Sequence, residues 1–145
     1  MKTRALAFVL AALLLPTLAS AAEPARFLPL DVVVDTGGKP IAAYQFEFTY
    51  PAGSVSIVGI EGGDAPFTEA PFYDPKGLTA GRVVIAAFTT DPHPPAGRVR
   101  VARIHVMTRG DGPLATGARL VVAADPDGAT FTTDIMLLEE KGAKP

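Results

Sequence analysis

Residues 42–53 read AAYQFEFTYPAG. Tyr44, Phe46, Phe48 and Tyr50 fall at every second position. On an extended strand successive side chains point to opposite faces, so the four rings share one face while Gln45, Glu47 and Thr49 share the other. Such a row either lines the inside of a sheet protein or stands in solvent as a platform for stacking on sugars. The chain has no cysteine, so apolar burial must hold its fold without disulfides. Each buried ring contributes roughly 1.5–3 kcal/mol. The rings are therefore expected to face inward, with Gln45, Glu47 and Thr49 outward.

The same reading extends along the chain. Its 14 glycines and 14 prolines stand mostly between apolar stretches, the punctuation of short strands joined by turns. Strand-like segments are LPLDVVVD (28–35), the segment 41–50, SVSIVGIE (54–61), RVVIAAFTT (82–90), RVRVARIHVMTR (98–109), the segment 119–124 and the segment 133–138. The last is locally ambiguous with a helix. In 98–109 the apolar parity slips, with Val99 and Val101 odd but Ala102, Ile104 and Val106 even. A β-bulge near Val101-Ala102 would keep both halves on the core, because one inserted residue reverses the alternation. Arg103, His105 and Met107 then face out. Seven to nine strands and no ordinary amphipathic helix predict an all-β fold, a two-sheet antiparallel sandwich.

The chain begins MKTRALAFVLAALLLPTLASAAEP. Lys2 and Arg4, an apolar run broken by Pro16, and Ala19-Ser20-Ala21 form the pattern of a secretory signal peptide over residues 1–21, with cleavage after Ala21 or Ala22. No cysteine follows the small residues, so no lipid anchor is expected. Residues 22–145 are expected to form one domain, exported to the periplasm or the cell exterior, with no membrane insertion after cleavage. The sequence holds 13 basic and 15 acidic residues. Losing Lys2 and Arg4 leaves the domain acidic by four, which argues against nucleic acid as a partner.

In order, IAAYQFEFTYPAGSVSIVGIEGG, a loop, GRVVIAAFTT, a Pro/Gly turn and GRVRVARIHVMTRGDG resemble the cohesin family and its relatives in the carbohydrate-binding-domain superfamily. In those domains a strand of alternating aromatics ends in Tyr-Asp-Pro, and a Val-x-x-Ile/Val-x-x-Gly strand follows. Here the tyrosine is followed directly by Pro51. The resemblance spans about Leu30 to Gly128. It implies a jelly-roll sandwich, no catalysis, and a protein partner docked on one flat sheet face, as cohesins dock dockerins. If the sheets are arranged as in that family, Gln45, Glu47 and Thr49 lie on one face with Arg103, His105 and Met107, and these six are the candidate partner contacts.

Two further constellations have a functional reading. The loop from Gly62 to Gly81 carries Phe67, Phe72 and Tyr73 between prolines. These rings either plug the end of the sandwich, the favoured reading, or form a glycan-binding site for a polysaccharide; the absence of tryptophan weakens the second reading. Asp125 and Asp127 flank Pro126 before Gly128. A calcium loop needs further oxygen ligands, whereas its fifth, seventh and twelfth positions are Ala129, Phe131 and Met136, so a β-turn is predicted. Ser54 and Ser56 lack a Gly-x-Ser-x-Gly elbow, and His93 and His105 lack zinc-ligand spacing. The sequence predicts no cofactor, no metal centre and no enzyme. A structural subunit of an envelope or secretion apparatus is the remaining alternative.

Overall fold

The computed structural model describes residues 21–140; the predicted leader, apart from Ala21, lies outside the described residues. Among the described residues nine strands follow one another: β1 (Ala25–Asp35), β2 (Ala43–Thr49), β3 (Val55–Gly62), β4 (Phe72–Tyr73), β5 (Arg82–Phe88), β6 (Arg98–Arg109), β7 (Gly117–Ala124), β8 (Thr130–Phe131) and β9 (Asp134–Glu139). A 3-10 turn, Pro75–Thr79, separates β4 from β5. The strands build a four-stranded sheet, β3-β6-β1-β9, and a five-stranded sheet, β4-β5-β2-β7-β8. Every pairing is antiparallel. The fold is the predicted all-β sandwich, and the ambiguous last segment is a strand.

The alternating rings decide the core. Phe46 and Phe48 are wholly buried and Tyr44 and Tyr50 nearly so. They meet Val32 and Val34 of β1 and Val99, Val101, Ile104 and Val106 of β6 from the opposite sheet in one cluster. Tyr44 stacks on Phe46, Phe48 on Tyr50, and Phe67 meets Tyr44 edge-on at 5.3 Å.

The parity slip of β6 is a bulge at the predicted place. Val32 of β1 pairs with Ala102 and Val33 with Arg100, leaving Val101 as the extra residue. Val99, Val101, Ala102, Ile104 and Val106 are all buried as a result. The Val101 carbonyl accepts the Tyr44 hydroxyl at 2.9 Å across the core, and the Arg100 carbonyl accepts the Asp64 backbone N–H at 2.8 Å. A buried bulge thus leaves neither carbonyl unpaired. Burial holds the Tyr44 hydroxyl in its neutral form well above its ordinary range, as its donor role requires.

The sequence pattern misses a second slip. In β3, Val55 and Ile57 face the core, but pairing with β6 jumps from Ile57 to Gly59. Val58 is extruded and exposed, and Ile60 packs back onto the core. A third irregularity in β7, between Leu120 and Val122, leaves Val121 exposed.

Candidate functional site

Inward-facing β2 rings turn Ala43, Gln45, Glu47 and Thr49 onto the outer face of the five-stranded sheet. Register then fixes their neighbours. Gln45 lies between Ala86 of β5 and Val122 of β7, and Phe72 of β4 pairs beyond Ala86. One step along, Ala43 pairs with Phe88. Phe72 and Phe88 are 70% and 65% exposed. Together with Ala43, Gln45, Ala86 and Val122 they line an open groove of about 260 Å³ whose walls are almost entirely apolar. A single exposed ring is ordinary, but two beside one groove make a continuous apolar patch on a rigid sheet.

Below the groove the face becomes charged. Glu47 pairs across β2 with Arg119 of β7, and Thr49 with Arg82 of β5. Both guanidiniums converge on the Glu47 carboxylate, Arg119 Nη2 at 3.2 Å and Arg82 through its own Nη2. The Glu47 side chain is only 12% exposed, whereas Arg82 and Arg119 are 58% and 68% exposed. The hydrogen bond from Arg82, reinforced by both positive charges, holds the Glu47 carboxyl below the ordinary glutamate range.

The second triplet is elsewhere. Arg103, His105 and Met107 face outward from β6, but β6 belongs to the four-stranded sheet and β2 to the five-stranded one. The expectation that all six candidate contacts share one face is therefore corrected: the two triplets look out from opposite sides of the sandwich. Strand alternation separates inside from outside without saying which sheet a strand joins. On its own side, Arg103 holds Asp31 with Nε–Oδ1 at 2.6 Å and Nη2–Oδ2 at 3.1 Å, and reaches Glu140 at 3.2 Å. Arg100 adds Asp64 at 2.9 Å, and His105 Nε2 lies 2.9 Å from Glu61 Oε1. The hydrogen bond from Arg103 keeps the Asp31 carboxyl below its ordinary range. The centre of this face is internally charge-paired, with Met107 beside the exposed Phe27.

The loop aromatics divide. Phe67 is 3% exposed within the core, and Tyr73 packs against that core from β4; both plug the sandwich, and only Phe72 stands outside. The three cannot form one glycan-stacking platform, because a buried ring offers no face to a sugar. Asp125-Pro126-Asp127-Gly128 is the predicted turn. Asp125 Oδ1 accepts the N–H groups of Asp127 and Ala129 at 3.0 and 2.9 Å, and Gly128 takes φ +81°, a conformation glycine adopts without strain. Among the described residues no three His, Asp or Glu side chains gather as metal ligands would.

Sequence comparison alone is silent: no family model and no curated protein matches the chain. Solved structures answer instead. The seventh ScaB type I cohesin from Pseudobacteroides cellulosolvens superposes with a TM-score of 0.55 at 11% identity, over 82% of this chain and 85% of that one. The fold is that of the cohesins. A chain of the Coh-OlpA–Doc918 complex from Clostridium thermocellum, a type I cohesin–dockerin complex, gives a TM-score of 0.59 at 14% identity, covering 81% of this chain and 89% of that one. A chain of a complex between a CaDoc0917 variant and CaCohA2 gives 0.60 at 11%, covering 76% and 84%. The two-sheet sandwich predicted from strand periodicity, and the cohesin-like fold implied by the resemblance in motif order, are thus the observed ones.

Phe88, Arg82 and Arg119 are among the members of the outer face that sequence reasoning missed. A signal for the first two was present. Val83, Ile85 and Ala87 take one parity of β5, so Arg82, Val84, Ala86 and Phe88 must take the other.

Proposed function

We propose that this protein is an exported, non-catalytic binding module that docks a partner protein on the outer face of its five-stranded sheet. The observation that carries the reading is the groove between Phe72 and Phe88, an open apolar surface on a rigid sheet, continuous with Gln45, Glu47 and Thr49. An apolar centre with a polar, charged rim is the general layout of protein interfaces. The cohesin-like fold supports a protein partner, since two of the similar structures are protein complexes, one of them a type I cohesin–dockerin complex. The signal-peptide pattern of residues 1–21 supports export to the periplasm or beyond. A polysaccharide ligand fits less well, because Gln45 alone among the groove's outward-facing side chains could hydrogen-bond sugar hydroxyls.

The test is affinity capture from extracts of the source cells with the purified wild-type domain and with the F72S/F88S double variant. A specific protein retained by the wild type and lost with the variant is the expected result. A partner lost instead with substitutions at Arg103 and Met107 would move the docking surface to the four-stranded sheet.

A further inference from the structure

The central arginine pairs of the two outer faces differ in how they are matched. On the four-stranded sheet, Arg100 and Arg103 share Asp31, Asp64 and Glu140, three carboxylates for two guanidiniums. On the five-stranded sheet, Arg82 and Arg119 share Glu47 alone among the described residues. A guanidinium has five donors, and each of these two contacts Glu47 through one terminal nitrogen. Both side chains are mostly exposed while Glu47 is mostly covered. The site presents a net positive charge and unused donors to anything lying on the face, directly below the Phe72–Phe88 groove.

We propose that the partner segment docking on this face is a peptide carrying a carboxylate, received by Arg82 and Arg119, next to an apolar side chain that enters the groove. The inference rests on reading this face as the docking surface. Arginine forks match carboxylate geometry and accept a second acid without moving the first. The pair is exposed, so its contribution lies in partner choice and in association rate more than in raw affinity. Screening by salt must therefore weaken binding. The apolar lining of the groove selects a peptide over an acidic polysaccharide.

The experiment pans a random peptide library displayed on phage against the purified protein, then measures the selected peptides on three variants. Selected sequences rich in Asp or Glu beside an apolar residue are expected, lost on F72S/F88S, weakened on R82Q/R119Q, and tightened by roughly two- to fivefold on E47Q, where the arginines are released from their internal partner. The E47Q arm removes no donor, so it remains decisive if R82Q/R119Q folds poorly. Peptides without acidic enrichment that still need Phe72 and Phe88 overturn the carboxylate inference and leave the docking face intact. Peptides indifferent to both phenylalanines overturn the two together. Retention on polygalacturonate without any selected peptide overturns the proposal in favour of an acidic glycan.

Discussion

The Tyr44 hydroxyl of β2 donates to the Val101 carbonyl of β6 at 2.9 Å, bridging the two sheets through the core. Val101 is the bulged residue, so the side chain that opens the aromatic row also closes the β6 irregularity that row must pack against. Replacing Tyr44 by Phe keeps the ring and leaves a buried carbonyl unpaired. Y44F is expected to lose about 1–2 kcal/mol in urea unfolding at neutral pH. Unchanged stability would mean that the carbonyl finds another donor.

Gly63 sits where β3 runs into the Phe67 loop, and a Cβ there would stand 1.9 Å from the Arg100 carbonyl oxygen. That oxygen already takes the Asp64 N–H, so the backbone cannot simply retreat. G63A is expected to destabilise by about 1–3 kcal/mol or more. G112A, with nothing within 4 Å of the added carbon, should stay within about 0.5 kcal/mol of the wild type. Similar melting curves for the two variants would contradict the close approach.

Much of the fold was legible because burial here is written in period two. The β2 rings and the two halves of β6 each have one apolar side, and a bulge was the only way to keep Val101 and Ala102 both inside. β3 was not legible in the same way, since Val55, Ile57, Val58 and Ile60 offer apolar residues at both parities and nothing local says which is extruded. The candidate site was half legible. Gln45, Glu47 and Thr49 could be placed outward from their own strand, but joining them to Arg103, His105 and Met107 required knowing which strands share a sheet. That information resides in long-range pairing, such as β2 with β5 and β7, and not in any one segment.

Asp31 and Arg103 form a two-pronged, largely covered ion pair. Because the folded-state pKa of Asp31 is lowered, the unfolded chain binds its proton more readily. The stabilisation is then fully present above the ordinary aspartate value of about 3.9 and is lost as pH falls through the lowered one. D31N should be less stable than the wild type by about 1–3 kcal/mol at pH 7, and the gap should narrow towards pH 3. Urea midpoints at the two pH values give the answer, and a gap of constant size would assign the effect to packing instead of charge.

Export predicts a specific amino terminus. If Ala19-Ser20-Ala21 is read by a signal peptidase, protein recovered outside the cytoplasm should begin at Ala22 or Glu23 by intact mass. Full-length chain confined to the cytoplasm would remove export from the proposed function.

The outer groove separates stability from binding. Phe72 and Phe88 bury little of their surface, so replacing both with serine withdraws little apolar area from the folded state, and stability should stay within about 0.5 kcal/mol of the wild type. At an interface the same rings would lose their solvent contact to a partner, where aromatic anchors commonly cost about 2 kcal/mol or more when removed, or about a thirtyfold loss of affinity. F72S/F88S should therefore melt like the wild type yet fail to hold a bound partner. Tyr73, adjacent in sequence but turned inward onto the core, gives the contrast: Y73S should lower stability. A double variant that melts early would mean that the two rings support the fold. One that melts normally and binds normally would mean that the partner docks elsewhere.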